Sequence, residues 1–369
     1  MVVVCRDFNG YNSNGSGGSI KCNKLYIKGH YITTPSTTVE GDFIVDSDYM
    51  VNVVGDIWSK NGNICINADS NFISFSMNGY RALNNGRYLK ANGIIKLIGG
   101  FIQSAGSGTH TLGWESKILY IRTYDNNSES IPDVYAAKVI IHANQDLSIN
   151  NITPTNSYNN GIVDIKCEVL TFENSSKKIG VNSSEYFKSV SINASTLTVS
   201  TSQAITAYSV DITTTGFRSN TTYGDLYMDT NGQISAMYLN LNVNRMYASS
   251  GSKICIGGNN LVNSAISGLS WDTTDIQSST KYSRFTAKSI WMGSPVDSII
   301  YLCPAQNKNA GQYLNIDIGV LDLSGMSLTE GGNYCKMITF CSYGGPSVRI
   351  PFKGNISGNI GGILVVLII

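Results

Sequence analysis

Charge is scarce in this chain of 369 residues. Asp, Glu, Lys and Arg make up 14% of it, against about 25% in an ordinary soluble protein. The formal net charge is +1, and no basic run is longer than Lys177-Lys178. A surface that tracks phosphates needs clustered Lys and Arg, so neither nucleic acid nor an anionic membrane surface is an expected partner. Only seven prolines are present, which excludes a Pro-rich stalk or linker. There are three histidines, His30, His110 and His142, and no HExxH, GxSxG, GxGxxG or Walker loop. The expectation is therefore a non-enzymatic chain with no catalytic residue, no metal and no cofactor. Long apolar runs are missing as well. Ile363-Leu364-Val365-Val366-Leu367-Ile368-Ile369 covers seven residues, whereas a spanning helix needs about 20; a β-strand is expected there and no membrane span anywhere. The opening residues MVVVCRDFNGYNSNGSGG lack the basic start and apolar core of a secretion signal. The expected location is extracellular or at a cell surface by another route, with a virion or the cytoplasm as alternatives.

What replaces charge is Asn, Ser, Thr and 37 glycines, over a hydrophobic content of 42%. Uncharged polar faces, abundant turn formers and enough apolar residue for a core fit an all-β protein. No run of ten or more residues shows a helical period. Asn61-Gly62, Asn78-Gly79, Asn160-Gly161 and Asn231-Gly232 read as corners or turns.

An eight-residue phrase recurs: apolar, any, small, any, any, apolar, any, apolar. It is clearest at Ile20-Lys21-Cys22-Asn23-Lys24-Leu25-Tyr26-Ile27 and Ile165-Lys166-Cys167-Glu168-Val169-Leu170-Thr171-Phe172. Looser copies run from Ile205 through Ala207, Val210 and Ile212, from Ile234 through Ala236, Leu239 and Leu241, and from Phe285 through Ala287, Ile290 and Met292. Ile316, Leu321 and Leu323 keep the apolar slots but put Ile318 in the small one. Degenerate copies start at Trp114, with Leu119 and Ile121, and at Tyr135, with Ile140 and His142. In the central stretch Leu170 and Phe172, Val190 and Ile192, and Val210 and Ile212 follow one another at intervals of 20 residues. That interval, holding several short strands, suits one turn of a coiled repeat whose layers stack about 4.8 Å apart.

The phrase and its spacing resemble the right-handed parallel β-helix proteins, a group that includes haemagglutinin-like adhesins, phage tailspikes and pectin-lyase-like enzymes, with the bactofilin filaments similar in principle. The resemblance spans about residues 114–323 and is one of pattern. It implies a single-stranded parallel β-helix (β-solenoid) with irregular β-rich ends. It carries over no catalytic residue, because no catalytic motif of those families maps onto this chain. One elongated domain over 1–369 is expected: an N-terminal strand and loop at 1–18, the solenoid at 19–329, and C-terminal strands at 330–369 that assemble or cap.

Chemistry-bearing residues are few. Asp46-Ser47-Asp48 has the makings of a calcium chelate or a glycosidase acid pair, but a polar turn after Phe43-Ile44-Val45 is the favoured reading. Asp272 and Asp275 follow Trp271, and an exposed turn with one anchoring aromatic is favoured there. The 21 tyrosines could furnish a glycan or protein surface or merely pack between strands. Sequons such as Asn151-Ile152-Thr153 and Asn193-Ala194-Ser195 are expected by chance in so Asn-rich a chain. The eight cysteines, Cys5, Cys22, Cys65, Cys167, Cys255, Cys303, Cys335 and Cys341, form no CxxC pair. Cys22 and Cys167 take the slot that Ala207 and Ala236 fill, so reduced structural thiols are expected. Cys335 and Cys341 lie too far apart along one strand to bond each other.

Both ends are apolar: Val2-Val3-Val4 near the start, and Ile363, Leu364, Val365, Val366, Leu367, Ile368 and Ile369 at the finish. Such uncharged, β-prone segments need a partner. The expected function is a self-assembling structural subunit of a filament, sheath or appendage, joined head to tail through terminal strands. The alternative is a glycan-binding or glycan-cleaving β-helix of tailspike or adhesin type.

Overall fold

The computed structural model describes residues 1–10, 19–69, 71–75, 87–104, 113–124, 128–155, 161–180, 186–214, 224–256, 283–293, 299–302, 314–325, 338–340 and 355–357. The described residues form an all-β structure with no helix, and the strand pairs are parallel. No helix among them is long and apolar enough to cross a membrane. Packing divides the chain into two compact units, Met1–Asn156 with Val163–Glu168, and Ser157–Ile162 with Val169–Ile369.

The first unit opens with β1 (Val2–Val4), β2 (Asp7–Asn9), β3 (Ser19–Cys22), β4 (Leu25–Thr34), β5 (Ser36–Val39) and β6 (Phe43–Val53). These and the strands that follow sort into three parallel stacks, which the chain visits in turn. Stack A holds β1, the first halves of β4 and β6, Ile64–Asn67, Ile94–Gly99, and the second halves of Gly113–Thr123 and Val134–His142. Stack B holds β2, the second halves of β4 and β6, then Phe72–Phe75, Phe101–Ser104, Glu129–Ile131 and Leu147–Ile149. Stack C runs from β3 and β5 through Ile57–Ser59 and Arg87–Ala91 to Ile152–Pro154.

Because side chains alternate across a strand, parallel in-register pairing turns every second residue into a column. In stack A one column is Leu25, Phe43, Ile64, Ile95, Leu119 and Val139, and its neighbour is Ile27, Val45, Ile66, Leu97, Ile121 and Ile141. All twelve are buried. Residues 43–104, whose sequence shows no constant period, supply strands to the same three stacks. Their layers differ in length: corner hydrogen bonds link residues 21 apart from Asp42 to Asn63 but 31 apart from Asn63 to Ile94.

The second unit repeats the scheme. Stack D contains Ala204–Ala207, Gln233–Ala236, Lys253–Ile256 and Ile300–Leu302. Stack E contains Ser189–Asn193, Ser209–Thr213, Asn240–Val243 and Arg284–Ala287. Stack F contains Thr196–Val199, Asp225–Met228, Arg245–Ala248 and Ser289–Gly293. Some corners between layers use left-handed backbone, at Thr201 and Ser202 (φ 53° and 61°) and at Thr230 and Asn231 (φ 47° and 64°). Short polar side chains tolerate that region by bonding locally. Asn61-Gly62 and Asn231-Gly232 fall at corners as expected, whereas Asn78-Gly79 and Asn160 lie outside the described residues.

The recurring phrase has a structural meaning narrower than a coil. The copies at Ile20, Trp114, Ile205, Ile234 and Phe285 are each an inward pair, a corner and a second inward pair. The copies at Ile20 and Trp114 turn from stack C to stack A, those at Ile205 and Ile234 from D to E, and that at Phe285 from E to F. The phrase therefore serves more than one corner, so intervals between copies do not measure one period. The copy assigned to Tyr135 needs correction by one residue. Val134, Ala136, Val139 and Ile141 point inward, and Tyr135, Ile140 and His142 do not. Val134–Ile141 is in fact a faithful copy, and the one-residue slip exchanges its faces.

Candidate functional site

Val2, Val3 and Val4 form β1, in register with Tyr26, Ile27 and Lys28. Val3 turns toward the Ile27 column. Val2 and Val4 stand outward, each 71% exposed. The Tyr26 N–H donates to the Met1 carbonyl at 3.0 Å and the Cys5 N–H donates to the Lys28 carbonyl at 3.1 Å. Backbone groups alternate in direction along a strand, so the N–H and C=O of Val2 and Val4 face away from β4. Among the described strands, β1 pairs with β4 alone and β3 with β5 alone. Ile363–Ile369, the other expected assembly element, lies outside the described residues.

An open cleft of about 780 Å³ lies at the corner between stacks A and B. It crosses four successive layers: Val4, Cys5 and Arg6; Lys28, Gly29 and His30; Asp46, Ser47 and Asp48; Asn67 and Asp69. The cause of its shape is a β-bulge. Gly29 pairs with Ser47, but Tyr31 pairs with Met50, so Asp48 and Tyr49 together oppose His30. Ser47 anchors the bulge from inside, donating its hydroxyl to the His30 carbonyl at 2.7 Å and accepting the Tyr49 N–H at 3.1 Å. Gly29 is required because a Cβ there would meet the Cys5 carbonyl at 2.7 Å.

The bulge throws Asp48 and Tyr49 outward, and His30 meets both. Its Nδ1 lies 2.8 Å from Asp48 Oδ1, and its ring stacks on Tyr49 at 4.7 Å. Tyr31 meets Tyr49 edge to face at 4.7 Å. Tyr31 and Tyr49 are 44% and 38% exposed. The neighbouring Tyr49 phenol is the main reason that the Tyr31 hydroxyl is pushed above its ordinary pKa, with desolvation adding to it. Asp46 is occupied differently, accepting from Tyr26 Oη at 3.0 Å and Asn67 Nδ2 at 3.4 Å. No group of three or more His, Cys, Asp or Glu among the described residues is arranged to hold a metal ion.

A second aromatic group sits on stack F. Tyr227 and Tyr247 are parallel to within 4° at 4.7 Å, and Trp291 follows at 6.4 Å. The Asp225 carboxylate accepts from Arg245 Nε and Nη2 at 2.8 and 2.7 Å. The Trp291 ring rests on glycine, since a Cβ at Gly325 would fall 2.1 Å from it. The faces of Tyr227 and Tyr247 cover one another while Trp291 is tilted at 48°, and the group reads as packing between layers.

The remaining residues singled out from the sequence are structural or undescribed. His142 Nε2 lies 3.1 Å from Asp164 Oδ2. Asn151 donates its N–H and Nδ2 to Asp133 Oδ1 at 2.9 and 3.1 Å, holding a corner. Cys5, Cys22, Cys65, Cys167 and Cys255 are thiols and form no disulfide, and burial pushes the Cys167 thiol far up. His110, Trp271, Asp272, Asp275, Cys303, Cys335 and Cys341 lie outside the described residues. Sequence reasoning found Asp46 and Asp48 but missed Arg6, Lys28, Tyr31 and Tyr49. A signal for the bulge does exist: the inward positions Ile27 and Ile32 are one residue closer than Val45 and Val51, their partners.

Comparison with protein-family models, curated proteins and solved structures finds no match to this chain.

Proposed function

We propose that this chain is a β-solenoid and a non-enzymatic structural subunit of an extracellular or cell-surface filament, sheath or appendage, adding to like subunits head to tail through terminal β-strands. The observation that carries the reading is β1, whose Val2 and Val4 combine outward backbone groups with exposed apolar side chains. An edge of this kind templates the addition of another strand. A further parallel layer placed there would continue the stack A columns from Val3 onward. Ile363–Ile369 of a neighbouring copy has the uncharged, β-prone composition that such a layer needs. Head-to-tail contact that does not close generates a fibre.

The test is a Val2→Pro/Val4→Pro double variant beside a truncation lacking residues 363–369. Proline at these two positions removes outward N–H donors and leaves the bonds from β1 to β4 in place. Polymers seen by negative-stain microscopy for the unmodified chain should vanish in both variants while the circular dichroism melt is retained. Polymers of unchanged length from either variant, or an unmodified chain that stays monomeric at all concentrations, refute the reading.

A further inference from the structure

We propose that Tyr227 and Tyr247 on stack F are a site of oxidative cross-linking, where hydrogen peroxide acting through a haem peroxidase joins the two rings as dityrosine and staples consecutive layers covalently. The inference is independent of assembly, because both tyrosines stand on the outer face of one stack and the bond forms within one chain.

Three features single out this pair. The first is register. Tyr227 pairs with Tyr247 in consecutive parallel strands, so the two side chains leave the backbone in the same direction. Their rings are parallel to within 4°, with centroids 4.7 Å apart. Stacked in this way, the rings present the same edge to the same side. A small turn of each about its Cβ–Cγ bond brings together the ring carbons beside the two hydroxyls. The second feature is restraint. Two residues before the pair, Asp225 accepts from Arg245 Nε and Nη2 at 2.8 and 2.7 Å. Two residues after it, Ser249 donates its hydroxyl to Asp229 at 3.0 Å. These bonds bracket the rings and keep the two layers from slipping. Holding reacting groups side by side replaces an encounter in solution with an intramolecular step. The third is an outlet for the proton. Tyr227 Oη donates to Asp225 Oδ2 at 3.1 Å. A phenol that loses an electron also loses its proton, and a carboxylate already bonded to the hydroxyl receives it. Tyr227 is 38% exposed, so oxidation begins there from solvent.

Other tyrosine pairs lack this combination. Tyr31 meets Tyr49 at 66°, and Tyr208 meets Tyr238 at 69° with Tyr208 buried. An edge-to-face pair aims the edge of one ring at the face of the other, and the two coupling carbons are not set side by side.

The chemistry balances. Each tyrosine gives up one electron and its phenolic proton. The two phenoxyl radicals then pair their electrons in a new carbon–carbon bond between the positions beside the hydroxyls. Each of those carbons releases its hydrogen as a proton, and each phenol oxygen regains one. The net result is the loss of two ring C–H bonds and the gain of one C–C bond. The two hydrogen atoms removed reduce one hydrogen peroxide to two waters.

The experiment treats the dilute full chain with hydrogen peroxide and a haem peroxidase and maps its tryptic peptides by mass spectrometry. Trypsin cuts after Arg245 and so separates the two tyrosines. The expected product comes from chain that still runs as a monomer on a denaturing gel. It is residues 219–245 joined to residues 246–253 with the loss of two hydrogen atoms, and fragment ions place the bond at Tyr227 and Tyr247. Its yield from the native chain should exceed that from the urea-denatured chain by at least about tenfold. Tyr227→Phe and Tyr247→Phe should each abolish it, and Tyr31→Phe should leave it unchanged. Phenylalanine keeps the ring and its packing, and a circular dichroism melt matching the parent excludes lost fold. Should a phenylalanine variant unfold, the native-to-denatured ratio of the parent decides. The proposal is overturned if no joined peptide forms, if native and denatured yields are equal, or if the bond maps to other tyrosines. Survival of the bond in either phenylalanine variant, or oxygen added to Trp291 in its place, overturns it as well.

Discussion

Ile140 and Ile141 are adjacent, chemically identical and oppositely placed, which makes them a sharp test of the inward columns. Ile141 is 0% exposed and continues the column from Ile121, whereas Ile140 pairs with Tyr120 on the outer side. Replacing isoleucine by alanine removes three carbons, worth about 2.4 kcal/mol in transfer free energy at about 0.8 kcal/mol each. At Ile141 a cavity term adds to this, because the strands above and below fix the backbone and the site collapses only partly. The expected cost of Ile141→Ala is about 2–5 kcal/mol. At half-buried Ile140 no closed cavity forms, and the expected cost is below about 1 kcal/mol. The two compact units need not unfold together, so a single global melt is the wrong readout. Hydrogen exchange followed by mass spectrometry on peptides covering residues 113–142 reads the affected layers directly. Each 1.4 kcal/mol corresponds to about tenfold in an opening equilibrium. Ile141→Ala should therefore speed exchange in these peptides well beyond tenfold, and Ile140→Ala by less than about fivefold. Equal effects, or the larger effect at Ile140, would mean that the register is slipped by one residue and the columns are wrong.

Thiol reactivity should follow depth. Cys5 and Cys22 are partly exposed, while Cys167 is buried with its thiol pushed up chiefly by burial and further by Asp146 and Glu168. Iodoacetamide labelling mapped by mass spectrometry should modify Cys5 and Cys22 in the native chain and Cys167 only after denaturation; comparable native rates contradict this. Asp229 predicts an acid-dependent loss of stability. Burial works to raise its carboxyl, but hydrogen bonds from Ser250, Ser249 and Thr230 outweigh it and hold the group below its ordinary value. A lowered folded-state value means that the stabilisation is complete above the unfolded carboxylate value of about 3.9 and disappears as the pH falls through the folded one. Asp229→Asn should thus be less stable than the parent at neutral pH, with the gap closing on acidification. A gap unchanged down to about pH 2 rules out this account.

The all-β class and the inward pairs were legible because they are properties of a few consecutive residues. Alternation decides which side chains face inward, and Ile20, Leu25 and Ile27 carry it within eight positions. Which corner a copy of the phrase turns was not legible. Ile234–Leu241 and Phe285–Met292 share a pattern, yet one leads from stack D to E and the other from E to F. The local pattern specifies a bend between two inward pairs, and the identity of the bend is fixed by the layer beneath it. Where both flanking residues are apolar, as at Ile140 and Ile141, even the facing was ambiguous, and the neighbouring column settled it. The cleft was hidden for a related reason. Arg6, His30, Asp48 and Asp69 line one cleft because successive layers pass the same corner, but the steps from Val4 to Lys28, from Lys28 to Asp46 and from Asp46 to Asn67 are unequal. No fixed spacing in the sequence therefore connects them. The bulge was readable only as one residue too many between Val45 and Val51, and that excess has meaning only once Ile27 and Ile32 are known to be their partners. A cleft in a stacked repeat is thus written in departures from the repeat, and a departure becomes visible only after the register that it breaks has been established.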